Sequence, residues 1–133
     1  MTLDPKTHGV FSWNELMTTD LDGAKEFYGG LFGWEFEEMV ISDGPMAGTP
    51  YISGKINGEY VGGMMTKPPE PAHIPPHWGA YITVDNIENT LGKVKELGGN
   101  VIMPKTPIKD MGAFAVIQDP QGAVVSIFEF MEE

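Results

Sequence analysis

The feature that most constrains the fold is an order of predicted elements that occurs twice along the chain. Asp20 and Asp85 each begin a predicted helix, and Gly33 and Gly98 each end one, so both pairs lie 65 residues apart. A period of this length is too long for a solenoid repeat. We therefore predict a duplicated β-α-β-β-β unit, in which each sheet has one helix on one of its faces.

The strands are predicted from alternating apolar residues and from the turn signals between them. They lie at residues 10–18, 34–41, 49–56 and 60–65 in the first half, and at 78–84, 100–103, 113–118 and 123–130 in the second. Asn57-Gly58 indicates a type I′ hairpin. Gly29-Gly30 in the first helix indicates either close packing onto the sheet or a local break. Asp85 and Glu88 form a pair typical of a capping box at the start of the second helix.

A proline-rich stretch at residues 67–77 separates the two halves. Proline suits neither a helix interior nor a central strand, so this stretch is predicted to be an extended linker. We predict a single α+β domain over residues 1–133, with module 1 at about 8–66 and module 2 at about 78–131. Residues 1–9 are expected to form a loosely held lead-in.

The charge of the chain excludes several classes of partner. Lys and Arg together number 8 and Asp and Glu together number 19, which gives a formal net charge of −11. This charge repels phosphate backbones and anionic membranes, so no nucleic-acid or membrane partner is expected. The absence of cysteine excludes disulfides and thiolate zinc sites. With neither a signal peptide nor a spanning apolar run, a cytoplasmic location is predicted.

Short motifs in a fixed order along nearly the whole chain carry a family resemblance. They are Thr19-Asp20-Leu21, Phe27-Tyr28, Leu31-Phe32-Gly33-Trp34, Gly62-Gly63-Met64, Val84-Asp85-Asn86, Leu97-Gly98-Gly99-Asn100-Val101 and Asp119-Pro120-Gln121-Gly122. In this pattern the sequence resembles the vicinal oxygen chelate superfamily, which includes glyoxalase I, bleomycin-resistance proteins and extradiol dioxygenases. It looks most like the metal-poor glyoxalase-like members. The resemblance implies paired β-α-β-β-β modules that form a curved mixed sheet around a cleft, the glyoxalase-like fold.

The resemblance also implies where a metal would lie in catalytic members. Their ligands are a His or Gln on strand one, a Glu on strand four, a His on strand five and a Glu on strand eight. Carried over to this sequence, these positions fall at Trp13, near Gly62-Gly63-Met64, at Gly79 and at Ser126. None of these is a usual metal ligand in such a site, so we predict no protein-bound metal and no cofactor. If Ser126 faces the cavity, Glu129 points toward the helix layer, and the acidic end from 129 to 133 is expected to be a solvated tail.

The resemblance and the strand alternation together predict an aromatic, mostly apolar ligand cavity. The candidate ligand-binding residues are Trp13, Met17, Tyr51, Met64, Trp78, Tyr81, Thr83, Ser126 and Phe128. Glu15 is the candidate catalytic residue, because a carboxyl group beside Trp13 in an apolar pocket is suited to general acid or base catalysis. The alternative for Glu15 is a rim carboxylate bonded to Tyr81 or to backbone. The sequence leaves open which face of its strand Trp78 occupies.

Three functions are compatible with these patterns. The first is a glyoxalase- and bleomycin-resistance-like protein that binds a small organic molecule without a protein-bound metal. The second is a metal-independent isomerase, epimerase or lyase that uses Glu15 as its general base. The third is an interaction module that uses its sheets for dimerisation, and a homodimer is expected by analogy alone.

Overall fold

The computed structural model describes residues 3–42, 44, 46–68 and 74–131. The chain divides into two compact units. The middle unit is Trp13–Gly79, and the flanking unit combines Met1–Ser12 with Ala80–Glu133. None of the described helices is long and apolar enough to cross a membrane. Of the predicted linker, residues 69–73 lie outside the described residues.

The elements confirm the predicted α+β class and the duplicated β-α-β-β-β order. They are β1 (Phe11–Thr18), α1 (Leu21–Phe32), β2 (Glu35–Val40), β3 (Pro50–Ile56), β4 (Glu59–Thr66), β5 (His77–Thr83), α2 (Ile87–Glu96), β6 (Asn100–Ile108), β7 (Gly112–Gln118) and β8 (Val124–Phe130). β6 extends to Ile108, five residues beyond its predicted end. The other strand boundaries agree with the prediction within one residue.

The middle unit has the strand order β2-β3-β4-β1. β1 and β4 are parallel, whereas β2, β3 and β4 form antiparallel pairs. The β3–β4 hairpin turns at Asn57 and Gly58, which have φ angles of 50° and 80°. A type I′ turn requires positive φ at both central residues, as predicted. Leu16, Ile52 and Met64 form the core beneath α1.

α1 is fixed at both ends by the residues that the sequence indicates. The Asp20 carboxylate accepts a hydrogen bond from the Gly23 amide at 2.9 Å, and Gly33 ends the helix with φ 74°. The helix continues through Gly29-Gly30 without a break. A methyl group at position 29 would lie 3.1 Å from the Phe36 ring, so the close-packing interpretation is confirmed for Gly29. It does not hold for Gly30, where an added methyl group would meet open space.

The flanking unit has the strand order β5-β8-β7-β6, with β5 and β8 parallel. Its core consists of Val84, Ile87, Ala113, Ala115 and Ile127. Ile87, the first residue of α2, is completely buried. This core lies between α2 and one face of the sheet, as Leu91 of α2 also packs against it.

Two predictions at the start of α2 are wrong. The N-cap is Asn86 rather than Asp85, because the Asn86 side chain accepts the hydrogen bond from the Asn89 amide at 2.9 Å. Glu129 of β8 is not part of a solvated tail. Its carboxylate accepts a hydrogen bond from the Ile87 amide at 2.7 Å, so a strand residue caps a helix distant in sequence. Glu129 does point toward the helix layer, as predicted.

The lead-in is tied to β5, which corrects the prediction that it is loosely held. The backbones of Gly9 and Val10 form hydrogen bonds of 2.8 and 2.9 Å with the backbone of Thr83. The Thr83 hydroxyl donates to the Pro5 carbonyl, and His8 accepts a hydrogen bond from the Asp85 amide at 3.0 Å. These bonds hold residues 5–10 against the end of β5 and give partners to the Thr83 backbone.

Candidate functional site

Strand register determines which side chains of the middle unit share a face. Glu15 of β1 pairs with Gly63 of β4, and Gly63 pairs with Ser53 of β3. Their neighbours Leu16, Met64 and Ile52 form the core beneath α1. Because successive side chains alternate across a strand, Glu15 and Ser53 point away from α1. We call this surface, which carries Trp13, Glu15, Met17, Tyr51, Ser53 and Met65, the Glu15 face.

A chain of hydrogen bonds joins three side chains on the Glu15 face. The Trp13 indole N–H donates to the Tyr51 hydroxyl at 2.9 Å. The Tyr51 hydroxyl in turn donates to Oε1 of Glu15 at 2.8 Å. Glu15 is only 7% exposed, so it is a buried carboxylate rather than a rim residue, and Tyr51 is one of its partners.

This arrangement holds the Glu15 carboxyl group in one orientation. A hydrogen bond to a carboxylate is stronger than one between neutral groups, and the Trp13 donor polarises the Tyr51 hydroxyl further. Met17 and Met65, which pair with each other on β1 and β4, provide apolar surface beside the network. A fixed, buried carboxylate of this kind can accept a hydrogen bond or a proton from a bound molecule.

The candidate residues of the flanking unit also share one face. Tyr81 pairs with Ser126, and Thr83 pairs with Phe128, on the face opposite the α2 core. Thr83 is 2% exposed and its hydroxyl is engaged by Pro5. Phe128 borders a cavity of about 280 Å³. The cavity is lined by Lys6, Asp110, Met111, Phe128, Phe130 and Met131.

Two candidate ligand residues lie on the opposite side of the middle sheet from Glu15. Met64 is buried against Leu16 and Ile52 beneath α1, because it is one residue out of phase with Gly63 and Met65. Trp78 donates its indole N–H to the Tyr28 hydroxyl at 3.1 Å. Met64 therefore does not line the Glu15 face, contrary to the prediction, and Trp78 occupies the α1 side, a choice that the sequence left open.

Trp78 instead belongs to an aromatic cluster on the α1 side, which strand alternation did not predict. Its ring lies edge-to-face with Tyr28 and Trp34, at centroid distances of 5.4 and 6.2 Å. A cavity of about 460 Å³ opens beside the cluster, and its lining includes Phe27, Tyr28 and His77. The motif Phe27-Tyr28 followed by Trp34 was the only sequence signal for the cluster.

The residues at the four ligand positions of the metal-binding pattern do not fit a divalent ion. The Trp13 indole nitrogen carries a hydrogen that it donates to Tyr51, and Gly63 and Gly79 have no side chain. Ser126 offers only a neutral hydroxyl. Among the residues that the structure describes, no three His, Asp or Glu side chains converge to hold a metal ion.

Comparison with known proteins identifies relatives of about twice this length. The chain is 38% identical over 122 residues to the "Putative glyoxylase CFP32" of Mycobacterium tuberculosis, a match that covers 91% of this chain and 46% of that protein. It is 30% identical over 132 residues to the "Anthracycline biosynthesis protein DnrV" of Streptomyces peucetius, covering 90% of this chain and 46% of the relative. The chain thus spans about half the length of these curated relatives.

Solved structures share the fold at low sequence identity. The hypothetical protein BH1468 of Bacillus halodurans superposes with a TM-score of 0.70 at 17% identity, covering 96% of this chain and 98% of that one. Methylmalonyl-CoA epimerase of Mycobacterium tuberculosis superposes with a TM-score of 0.65 at 13% identity, covering 95% and 93%. At these identities the likeness concerns the fold alone.

The family assignment follows from a match to nearly the whole sequence. The profile of the Glyoxalase/Bleomycin resistance protein/Dioxygenase superfamily matches residues 10–127. This range includes both β-α-β-β-β halves except for the end of β8. The chain therefore belongs to the Glyoxalase/Bleomycin resistance protein/Dioxygenase superfamily.

Proposed function

We propose that this protein binds a small organic molecule at the Glu15 face, with Glu15 as the polar anchor and without a protein-bound metal. The observation that carries the proposal is the hydrogen-bond chain from Trp13 through Tyr51 to Glu15. Burying a carboxylate is costly unless hydrogen bonds compensate. The series of hydrogen bonds from Trp13 through Tyr51 supplies such compensation and is well suited to keep the Glu15 carboxylate available for a ligand.

The composition of the face supports a particular class of ligand. Trp13, Met17 and Met65 offer aromatic and adaptable apolar surface, and Glu15 is the acceptor among them. The ligand would therefore have an apolar or aromatic body and a hydroxyl or amine donor. An anthracycline has both features, and one relative is named for anthracycline biosynthesis.

Titration with an anthracycline tests the binding proposal. Binding is measured by calorimetry for the wild type, for Glu15→Gln and for Glu38→Gln. Glu38 of β2 has the same side chain as Glu15 but is exposed. It pairs with Ile52, so it does not belong to the Glu15 face. We expect Glu15→Gln to weaken binding about tenfold or more, since a lost hydrogen bond to a charged group has this effect. Equal affinities for both variants would contradict the proposal.

Elemental analysis tests the metal-free part of the proposal. Protein purified without chelator and without a metal-affinity step should contain far less than one transition-metal ion per chain. A stoichiometric ion that survives dialysis would overturn this part. The titration with the anthracycline remains informative in either case, because its readout does not depend on a metal.

A second function is catalysis with Glu15 as the general base, favoured by the burial and fixed orientation of its carboxylate. We propose an isomerase-, epimerase- or lyase-type reaction in which Glu15 removes a proton from carbon. The probes are the hemithioacetal of methylglyoxal and methylmalonyl-CoA, assayed for solvent-deuterium incorporation. Glu15→Gln should abolish turnover while leaving the Trp13–Tyr51 contact in place. If wild-type protein exchanges no proton in either probe, catalysis on these substrate classes is refuted while binding stays testable.

A further inference from the structure

Gly63 lies on the Glu15 face directly beside the carboxylate-bearing residue. It pairs with Glu15 on one side and with Ser53 on the other. Its backbone is not in the left-handed region, unlike that of Gly58 or Gly122. Conformational freedom therefore does not explain a glycine at this position, and the missing side chain is the relevant property.

The Tyr51 side chain fills the space above Gly63. A methyl group at position 63 would overlap the Tyr51 hydroxyl and ring. The backbone partner of Tyr51 is Met65, which lies two residues beyond Gly63 on the same face of β4. Its ring must therefore lean along the sheet, across Gly63, to bring its hydroxyl to Glu15. The hydrogen bonds of Trp13 and Glu15 with Tyr51 depend on this open space.

We infer that Gly63 is a positioning residue for Glu15, and that Tyr51 takes the space that a strand-four metal ligand would need. The family's strand-four ligand falls near Gly62-Gly63-Met64, and only position 63 faces Glu15. Gly62 and Met64 face the α1 side, where a methyl group at position 62 would lie 3.9 Å from the Trp78 ring. A side chain at position 63 and the Tyr51 phenol would need the same space, so the sheet can accommodate only one of them there. The inference rests on the proposed use of the Glu15 face.

The indole N–H signals of the three tryptophans test this inference in one NMR spectrum. The Trp13 N–H reports on the Tyr51 hydroxyl, and the Trp78 N–H, bonded to Tyr28, is an internal control. We expect Gly63→Ala to shift the Trp13 signal and to speed its exchange with solvent about tenfold. The Trp78 signal should stay unchanged. Gly30→Ala, where the added methyl group would meet no other atom within 4 Å apart from its chain neighbours and its own helix backbone, should move neither signal.

A double-mutant cycle identifies Tyr51 as the group that Gly63 accommodates. Gly63→Ala should have its full effect in the wild type and almost none in a Tyr51→Ala background, where the phenol is absent. The phenol is the far end of a side chain, so we expect Gly63→Ala to move it rather than to unfold the chain. If Gly63→Ala does unfold the chain, Tyr51→Ala/Gly63→Ala should restore folding.

Two results would overturn the inference. One is a Gly63→Ala protein whose Trp13 signal and exchange rate equal those of the wild type. The other is a Gly63→Ala change that disturbs the protein as much in the Tyr51→Ala background as in the wild type, which would mean that Gly63 is needed for a reason other than the Tyr51 phenol. Neither readout requires a ligand. Failure of the proposed binding function therefore appears in the calorimetric titration and not in these spectra.

Discussion

The two halves of the chain have the same order of elements but present different chemistry on equivalent faces. In the middle unit Glu15 pairs with Gly63, and in the flanking unit the corresponding pair of parallel strands brings Tyr81 beside Ser126. Both pairs face away from the helix of their own unit. Gly63 has no side chain in the first half, whereas the corresponding position in the second half carries the side chain of Ser126.

The third strands of the two halves extend this contrast. Tyr51 of β3 pairs with Met65, and Phe114 of β7 pairs with Phe128 in the corresponding row. Phe114 has no hydroxyl, so it cannot form the hydrogen bonds that Tyr51 forms with Trp13 and Glu15. The duplicated fold thus supplies the frame, whereas a tyrosine and a glycine on two adjacent strands supply the polar site.

The helices are also anchored differently. α2 begins at the fully buried Ile87, whose amide is bonded to Glu129 of β8. α1 has no buried residue, and Phe27, Leu31 and Phe32 on its surface are each more than half exposed. α1 and α2 therefore have equivalent positions in the duplicated β-α-β-β-β order, although α1 buries less apolar surface than α2.

The largest expected effect concerns the anchor of α2. Ile87→Ala should lower the free energy of unfolding by about 2–5 kcal/mol, because it leaves a cavity in a closed core. Leu21→Ala, at the first residue of α1, should cost less, since Leu21 is only half-buried. Urea denaturation followed by circular dichroism measures both variants. Equal costs would mean that the two helices are anchored equally well.

The next effect concerns the polar site of the middle unit. Tyr51→Phe makes this position resemble Phe114 and should cost about 1–3 kcal/mol, because a buried carboxylate loses a donor. Tyr60→Phe is the matched control. Its hydroxyl donates to Glu37 at 2.8 Å on an exposed part of the sheet, where water can replace the bond. Thermal unfolding should separate the two variants, and a larger loss for Tyr60→Phe would contradict the assignment.

Loss of the side chain that caps the start of either helix should lower stability by a moderate amount. Glu129→Ala should cost about 1 kcal/mol, similar to Asp20→Ala at the N-cap of α1. Glu129→Gln should cost less, because its side-chain oxygen can still accept the Ile87 amide. Hydrogen exchange of that amide gives the direct measurement. Unchanged protection in Glu129→Ala would show that the strand residue does not stabilise the start of α2.

The smallest effect is a dependence of stability on pH at the edge of the middle sheet. Hydrogen bonds from Tyr60 and Lys55 lower the pKa of Glu37, and the Glu37 bond raises the pKa of Tyr60. A lowered folded-state pKa means that this contribution is complete above the unfolded-state pKa and is lost as the pH falls through the folded-state value.

Melting temperatures from about pH 7 down to about pH 3 measure this contribution. The difference between wild type and Glu37→Gln should shrink as the pH falls. It should be small throughout, since the carboxylate is exposed and solvent screens it. Glu38→Gln is the control on the opposite face of β2. A difference that grows in acid would contradict the assigned direction.

Local signals were sufficient for most of the fold. The Asp20 cap, the left-handed Gly33 and Gly98, and the Asn57-Gly58 turn lie where short-range patterns predict them. The second helix begins one residue later than predicted, because Asn86 competes successfully with Asp85 for the role of N-cap. Which of two adjacent polar residues becomes the N-cap depends on the direction in which the chain enters the helix. Before α2 this direction also involves the hydrogen bond from the Asp85 amide to His8.

The candidate site was predictable only in part. Alternation on β1 places Trp13 and Glu15 on one face, and this is a local property of a strand. The positions of Met64 and Trp78 depend on strand register and on ring packing with Tyr28, which involves residues 50 positions away. Side chains that meet across strands cannot be paired from periodicity alone, because a shift of one residue exchanges the two faces.

The sequence by itself determined the duplicated β-α-β-β-β order, the ends of the first helix and the family. These features arise from backbone preferences and apolar periodicity, which act over a few residues. Only the tertiary structure decided that Tyr51 reaches across Gly63 to Glu15, that Glu129 caps α2 and that the lead-in is tied to Thr83. Each of these contacts joins residues at least 36 positions apart, so its geometry exists only once the strands are paired.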